Sequence, residues 1–135
     1  MRHMGQIANQ PPNEIQNDER SDVELAARTA SEKKARDLVA LDLRGVASFT
    51  DYFVICTGNN ARHVQSIADA VEDDLRKLGR RPLHTEGYSA AEWILLDYGD
   101  FIMHVFNPTS RKFYDLERLW RDAKRIVLPG IDEAE

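Results

Sequence analysis

The side chains best suited to chemistry in this sequence are a single thiol, Cys56, and four imidazoles. Nucleophilic catalysis requires the thiol beside an imidazole base, for which His63 and His104 are the candidates. No spacing in the sequence brings either histidine to Cys56. Cys56 lies in an apolar run, where a thiol usually packs as a small, unreactive hydrophobe. We therefore predict that Cys56 is structural.

Metal, phosphate and nucleotide sites lack the spacings that they require. Residues 57–60 precede a helix, but they contain one glycine and no following Gly-Lys-Ser/Thr. Asp42 and Asp51 are isolated, whereas a nucleotidyltransferase needs two carboxylates on one strand to hold Mg²⁺. No metal-ligand spacing connects the four histidines, His3, His63, His84 and His104. The sequence thus predicts no catalytic residue, no metal site and no cofactor.

The composition is that of an ordinary globular protein. The chain has 135 residues, of which 42% are hydrophobic and 30% charged, enough for one compact domain. Its formal net charge of −5 argues against extensive binding to phosphate backbones. The N-terminal stretch lacks the apolar segment of a secretory signal, and acidic residues soon after it disfavour a mitochondrial presequence. We expect a cytoplasmic protein, most simply a bacterial one.

Periodicity divides the chain into three segments. Residues 1–20 are polar and lack apolar periodicity, which predicts a flexible N-terminal extension. Residues 21–24 have the spacing of a capping box, which predicts that the first helix starts at Ser21. Residues 21–123 are predicted to form an α/β domain, and residues 124–135 a C-terminal tail.

The first half of the domain is predicted to contain a helix, two strands and a second helix. Residues 39–43 alternate between apolar and other side chains, as in a half-buried strand. Residues 52–56 are continuously apolar, which indicates a central strand in an antiparallel hairpin with the first. Asn60 and Gly79 suit the start and end of the second helix. Its apolar stripe is Val64, Ile67, Ala68, Val71, Leu75 and Leu78.

The second half is predicted to contain three strands and a helix. Residues 83–85 form a short strand, and residues 93–97 and 101–106 flank a hairpin turn at Tyr98-Gly99. Pro108 opens the last helix. One side of that helix carries Phe113, Leu116 and Trp120. The order α-β-β-α-β-β-β-α predicts a single α/β domain, with a mixed sheet of about five strands and flanking helices.

The predicted hairpin is apolar on both faces. If Leu96 pairs with Phe101, strand alternation places Ile94 and Met103 beside them on one face. The other face then carries Trp93, Leu95, Ile102 and His104. Helices can cover one face; the other is buried by a further helix or is a patch for a protein partner, and periodicity favours neither. Acidic residues at the hairpin tip suit a basic partner.

Three segments of the chain resemble the bacterial ribosomal silencing factors, the RsfS, YbeB or Iojap family. They are ALDLRGVASFTDYFVICTGNNARHVQSIAD (residues 40–69), EGYSAAEWILLDYGDFIMHVF (86–106) and RKFYDLERLW (111–120). They occur in the family's order across most of the predicted domain. The resemblance implies a nucleotidyltransferase-like fold without the catalytic carboxylates, and a binding protein rather than an enzyme.

The resemblance also implies a partner. Such factors bind large-subunit ribosomal protein fourteen on the inter-subunit face of the 50S subunit. There they block joining of the 30S and 50S subunits and repress translation under nutrient limitation. Some members self-associate, so a homodimer is an additional expectation.

Carried over onto this sequence, the family's tryptophan is Trp93 and its acidic partner is Asp97. Both lie on the hairpin face derived above. The neighbours expected to contribute are Leu95, Tyr98, Asp100, His104, Tyr88 and Glu92. The Arg62-His63 pair is not assigned to this surface.

Two alternatives belong to other functional classes. A nucleotide-handling enzyme of nucleotidyltransferase-like fold would need the carboxylate pair and phosphate loop that the sequence lacks. A direct ribosomal-RNA-binding assembly factor would use a helix over residues 111–125, which has a local excess of three positive charges. A solvated helix face is the commoner explanation of such charges. The basic cluster Arg76, Lys77, Arg80 and Arg81 is assigned to the end of the second helix.

Overall fold

The structure, a computed structural model, describes the backbone of residues 12–128 and 130–131 and the side chains from residue 20 onward. The helices are α1 (Pro12–Glu32), α2 (Ala61–Arg76), α3 (Pro108–Tyr114) and α4 (Leu116–Leu119). The strands are β1 (Arg36–Asp42), β2 (Tyr52–Thr57), β3 (His84–Glu86), β4 (Trp93–Asp97), β5 (Phe101–Phe106) and β6 (Lys124–Arg125). They form one mixed sheet in the order β3-β4-β5-β2-β1-β6. The predicted α/β class is confirmed.

The centre of the sheet is the parallel pair β2 and β5, in which Tyr52 lies opposite Phe101. Every residue of both strands is buried. β1 and β4 flank this pair and run antiparallel to β2 and β5 respectively. The predicted central strand and the predicted β1–β2 hairpin are therefore confirmed.

Helices α1 and α2 cover one face of the sheet, which we call the inner face. Asn60 caps α2 as predicted, because its side-chain oxygen accepts a hydrogen bond from the His63 backbone N–H at 2.9 Å. Gly79 adopts the expected left-handed conformation, with φ of 81°. The stripe of α2 is buried from Val64 to Leu75. The prediction is wrong for Leu78, which lies beyond the last helical turn and is 61% exposed.

The predicted start of the first helix at Ser21 is wrong, because α1 already begins at Pro12. Proline is well tolerated in the first turn of a helix. Val23, Ala26, Ala27 and Ala30 of α1 are buried, and the helix extends before Val23 to Pro12. Residues 12–20 are thus helical, and residues 1–11 of the predicted extension lie outside the described residues.

The predicted tail is also wrong in its first part. β6 pairs antiparallel with β1, and the backbone N–H of Ile126 donates to the Ala40 carbonyl at 2.9 Å. Ile126 and Leu128 are buried, whereas Val127 between them is 78% exposed. This stretch is too short for strand alternation to stand out in a sequence. Residues 129 and 132–135 lie outside the described residues.

The last predicted helix is two short helices. Asp115 adopts a left-handed conformation, with φ of 47°, and ends α3 before α4 begins. Because of this interruption, the Phe113 side chain points to solvent and is 77% exposed, whereas Leu116 is buried against the sheet. The prediction that Phe113, Leu116 and Trp120 lie on one side of a single helix is therefore wrong for Phe113.

The predicted face assignment of the β4–β5 hairpin is confirmed, although its register differs. Leu96 lies opposite Met103 rather than Phe101. The difference is two residues, and side chains alternate with period two, so each residue keeps its predicted face. Ile94, Leu96, Phe101 and Met103 pack in the inner core with the helices.

Gly87, in the turn between β3 and β4, offers a test of this packing. Its φ is 83°, and a Cβ added there would lie 2.0 Å from the Trp93 carbonyl oxygen. Gly45 has a similar φ of 82° but no atom within 4 Å of an added Cβ. We expect Gly45→Ala to cost about 1 kcal/mol of unfolding free energy for its backbone conformation alone. Gly87→Ala should cost about 3 kcal/mol or more, because the Trp93 backbone must also move. Equal losses in urea denaturation would contradict the described turn.

Candidate functional site

The candidate site lies on the sheet face turned away from α1 and α2, which we call the outer face. Its core contains Phe53, Ile55, Ile102, Phe106 and neighbouring β1 residues, with Leu116 above them. Helix α3 and the chain that follows cover β1, β2 and β5. On β4, by contrast, the outward residues Trp93, Leu95 and Asp97 alternate as half-buried positions with buried ones. The outer face is therefore closed over its centre and open along β4.

Trp93 is held in place by aromatic contacts and one hydrogen bond. Its ring stacks on Phe106 with centroids 5.0 Å apart and lies 4.6 Å from the Tyr114 ring of α3. The indole Nε1–H donates to His104 Nδ1 at 3.1 Å. These contacts fix a large aromatic surface while leaving part of it accessible, which is the form that interface anchors commonly take.

His104 accepts the Trp93 hydrogen bond from within the outer core. It lies on the predicted face, but it is 3% exposed and cannot itself form an accessible contact. Burial lowers its pKa from 6.5 to about 3, with a smaller contribution from the charge of Arg111. Because Nδ1 accepts from Trp93, the proton of the neutral ring belongs on Nε2. That atom is buried and has no hydrogen-bond partner among the described residues.

Leu95 and Asp97 continue the open row towards the hairpin turn. Leu95 packs at the margin of the outer core and stays half-buried. One Asp97 carboxylate oxygen accepts from the Gly99 backbone N–H at 2.8 Å. Asp97 lies four residues from Trp93 along the strand, roughly 13 Å. We call Trp93, Leu95 and Asp97 the β4 row.

The other predicted site residues do not join this row. The Tyr98 ring lies in the inner core at 4% exposure, and burial raises its pKa. Tyr88 donates its hydroxyl to Asp69 of α2, on the helical side of the molecule. Glu92 is exposed just before β4, and its carbonyl accepts from the Asn107 N–H. The prediction fails for Tyr98 because this residue is one position past Asp97 and so faces inward.

Asp100, at the hairpin turn, pairs with Arg80 and not with an exposed partner. The Arg80 guanidinium bonds Asp100 at 2.8 Å, Asp22 of α1, and the Tyr98 carbonyl at 3.0 Å. Arg80 therefore connects α1 to the β4–β5 turn instead of capping α2 as predicted. These partners raise the Arg80 pKa, with the Asp100 hydrogen bond the largest cause.

The structure adds accessible aromatic residues that the sequence did not identify. Tyr114 is 47% exposed beside Trp93, and Phe113 precedes it on α3. Phe49, in the β1–β2 link, is 55% exposed and packs on Trp120 with centroids 5.7 Å apart. The only sequence signal was their aromatic character, because the break at Asp115 that exposes the α3 residues is a tertiary feature.

Catalytic chemistry finds no support in the arrangement of the thiol and imidazole. Cys56 is fully buried in the inner core, and burial raises its pKa to about 12. His104 lies on the opposite face of the sheet, and His63 bonds Asn59 and the Lys33 carbonyl instead. The predicted burial of Cys56 is confirmed.

The arrangement of the described carboxylates gives no support for catalysis or metal binding either. Both Asp42 oxygens bond the Arg44 guanidinium, at 2.9 and 2.7 Å, and these bonds lower the Asp42 pKa. Among the side chains described, those of residues 20–128 and 130–131, no three histidine, cysteine or acidic groups are placed to hold a metal. The helices in this part of the chain include none long and apolar enough to cross a membrane.

Comparison with known proteins assigns the chain to a family. The model of the family described as "Ribosomal silencing factor during starvation" matches residues 16–135. Proteins named ribosomal silencing factor RsfS are similar in Halalkalibacterium halodurans (38% identity over 81% of this chain and 93% of the relative) and Bacillus subtilis (40% over 78% and 89%). A crystal structure from Bacillus halodurans superposes with a TM-score of 0.70 at 37% identity, covering 78% of this chain and 96% of that one. The relatives' names describe regulation, not catalysis.

We predict that the burial of neutral His104 makes stability depend on pH. Its pKa of about 3 in the folded protein lies below 6.5, so the unfolded chain takes up the proton first. The stabilisation that depends on neutral His104 is complete above pH 6.5. As the pH falls towards 3, the unfolding free energy decreases by about 1.4 kcal/mol per pH unit. Between pH 6.5 and 5 the loss should reach about 2 kcal/mol. In His104→Gln, whose amide oxygen can accept from Trp93, this loss should vanish in urea denaturation; parallel pH profiles would contradict a buried neutral imidazole.

We also predict that native Cys56 reacts slowly with Ellman's reagent at pH 8, because a buried thiol with a raised pKa supplies little thiolate. Unfolding in urea should expose it. The matched control is Ser48→Cys in a Cys56→Ala background, since residue 48 is exposed. The control thiol should react roughly 100-fold faster or more. Comparable native rates would show that Cys56 is accessible.

Proposed function

The chain belongs to the RsfS family of ribosomal silencing factors, and we propose that it silences ribosomes by binding large-subunit ribosomal protein fourteen. Binding on the inter-subunit face of the 50S subunit would block joining of the 30S subunit and repress translation under nutrient limitation. This action is stoichiometric and takes place in the cytoplasm. It requires a docking surface and no catalytic residue.

The observation that carries the proposal is the incomplete cover of the outer face along β4. Trp93 and Leu95 are half-buried at the margin of an apolar core, beside exposed Tyr114. Such a margin lets a partner extend the existing core instead of building a new one. Trp93 has the properties of an anchor, since its ring is already ordered by Phe106, Tyr114 and His104. A preorganised anchor loses less conformational entropy on binding.

Asp97 gives the β4 row its charge preference. Its Oδ1 is held by the Gly99 N–H, which orients the carboxylate. A half-buried carboxylate at an apolar margin suits an arginine or lysine of the partner. Asp97 is thus the acidic end of an otherwise apolar row. The surface therefore fits a partner with an apolar centre and a basic group at the Asp97 end.

The proposal is tested by subunit joining. Purified 30S and 50S subunits are mixed with increasing amounts of the protein, and the 70S fraction is measured by sucrose-gradient sedimentation. We expect a dose-dependent loss of 70S ribosomes, with the protein in the 50S fraction. An unchanged 70S peak with the protein left at the top of the gradient would overturn the proposal. Analytical ultracentrifugation of the free protein would show whether a second copy occupies the β4 row.

Trp93→Ala should weaken 50S binding by about 30- to 1,000-fold, the usual consequence of losing roughly 2–4 kcal/mol at an anchor. The variant also loses packing on Phe106, so its folding is checked by circular dichroism and its binding is measured below its melting temperature. Leu83→Ala is the matched control, because Leu83 is 77% exposed at the β3 edge. Wild-type affinity of folded Trp93→Ala would remove Trp93 from the site.

Asp97→Asn tests the charge without changing the side-chain size. The amide oxygen still accepts from Gly99, so the turn should fold normally. We expect 50S binding to weaken by roughly 10-fold, because a basic partner group loses its counter-charge. Asp73→Asn on α2 is the control for net charge, since Asp73 is exposed on the helical side. Equal effects of the two substitutions would mean that Asp97 makes no specific contact.

A further inference from the structure

Basic side chains gather at one end of the sheet, although the chain as a whole carries a charge of −5. This is the end at which the parallel strands β2 and β5 finish. An open groove of about 470 Å³ lies there, with Arg36, Lys112 and Arg125 among its lining residues. They come from β1, α3 and β6, so no single stretch of sequence displays them together.

The basic surface continues beyond this groove along the ends of the helices. Arg36 donates to the Asn59 side chain at 3.3 Å, and the Asn59 backbone N–H donates to His63 Nδ1 at 2.8 Å. His63 Nε2 bonds the Lys33 carbonyl at 2.7 Å. Lys33 and Arg62 are exposed and line a common neighbouring groove, whose other charged residues are Lys77, Glu32, Asp69, Asp73 and Asp74. We call Lys33, Arg36, Arg62, Lys112 and Arg125 the basic rim.

Arg111 also lines the first of these grooves, but its guanidinium is bonded within the fold and does not belong to the basic rim. Its guanidinium bonds Glu117 through two nitrogens at 3.0 Å, Thr57 Oγ1 at 2.8 Å and the Asp37 carbonyl at 2.7 Å. Its side chain is 11% exposed, so it serves the fold. Lys112 and Arg125, in contrast, are exposed, and Arg125 lies 3.7 Å from Glu117, which Arg111 already engages. Lys112 is thus exposed to solvent, and Arg125 shares Glu117 with Arg111 while 60% of its side chain stays exposed.

The opposite end of the sheet holds both kinds of charge. Asp42, Asp51, Asp97 and Asp100 lie at the strand ends there. Arg44 and Arg80 pair with Asp42 and Asp100, and Lys124 lies opposite Asp42. The basic rim is therefore distinguished by its exposed lysine and arginine side chains, which attract a polyanion locally, and not by a charge gradient along the strands.

We propose that the basic rim binds the phosphate backbone of ribosomal RNA beside the protein contact made by the β4 row. Trp93 lies opposite Phe106, the last residue of β5, and packs on Tyr114, two residues after Lys112. The rim and the β4 row thus adjoin at Trp93. One approach of the protein would bring both surfaces into contact with the large subunit. The inference rests on the proposed function for its location.

Phosphate backbone fits the rim better than a small anion does. The rim residues line two neighbouring grooves, with Arg36, Lys112 and Arg125 in one and Lys33 and Arg62 in the other, a spread that a single phosphate group does not cover. Asp37, Asp115 and Glu117 also line the first groove and would repel an anion bound deep inside it. Dispersed lysine and arginine side chains at a rim are the usual partners of a nucleic-acid backbone.

The test compares two double variants with the same change in net charge. Arg36→Glu with Lys112→Glu alters the basic rim. Arg76→Glu with Arg81→Glu alters exposed residues at the C-terminal end of α2, where both line a separate groove. Binding to 50S subunits is measured by sedimentation over 50–300 mM KCl, after circular dichroism has shown that both variants are folded. Binding to isolated large-subunit ribosomal protein fourteen and to a 16-base-pair RNA duplex is measured by fluorescence anisotropy.

We expect the rim variant to bind 50S subunits about 10-fold more weakly than the control variant at 150 mM KCl. Its slope of log affinity against log salt should fall by about two, one for each phosphate that the variant no longer neutralises. It should bind the isolated ribosomal protein as wild type does and lose affinity for the RNA duplex. Equal losses in both variants would show general charge repulsion and overturn the inference.

The remaining outcomes separate this inference from the proposed function. A rim variant that also loses the isolated ribosomal protein would assign the rim to the protein contact and overturn the RNA contact. Wild-type protein that binds 50S subunits and the duplex through the rim, but not the ribosomal protein, would overturn the proposed partner alone. Wild-type 50S and duplex binding by the rim variant would overturn the RNA contact and leave the proposed function standing.

Discussion

The parallel pairing of β2 with β5 dictates how the other elements of the molecule must be arranged. Both strands are buried along their full lengths, so the sheet must be covered on both faces. The 21-residue α1 and the 16-residue α2 cover the inner face completely enough for a continuous core. Among the described residues, the outer face is covered by the short helices α3 and α4 together with side chains such as Phe49 and Trp120. The unequal cover explains where the molecule can bind a partner.

Arg111 and Asp115 decide how far the outer cover extends. The left-handed Asp115 ends α3 after seven residues, and Arg111 fixes that helix to the ends of β1 and β2 through Asp37 and Thr57. The cover is thereby held over β1, β2 and β5 and ends where Tyr114 meets Trp93 of β4. Trp93 fills part of the space and is itself ordered by buried, neutral His104. The same anchoring leaves Lys112 exposed next to the proposed docking surface, so apolar and basic surfaces adjoin at one corner.

Much of the architecture could be predicted from the sequence because its signals are local. Alternation in β4 and β5 assigned Trp93 to the outer face correctly even with the register displaced by two residues, since the face depends only on parity. The stripe of α2, with its cap at Asn60, is likewise a property of neighbouring residues. The two ends of the fold were harder to predict from the sequence. One is the start of α1 at Pro12, and the other is the pairing of β6 with β1, which is a contact between distant segments.

Residue types and their spacing were sufficient for the class of fold, the two apolar faces of the hairpin, the burial of Cys56 and the resemblance to a family. They were not sufficient to say which outward residues stay accessible. His104 and Trp93 share a face, yet one is buried and the other half-exposed, because His104 is enclosed by the rings of Phe53, Phe106 and Trp93, whereas Trp93 lies at the margin beside Tyr114. The basic rim could not be predicted from the sequence either, since its residues lie on separate elements that meet at one end of the sheet. Periodicity reports the direction of a side chain, whereas accessibility depends on what distant segments place over it.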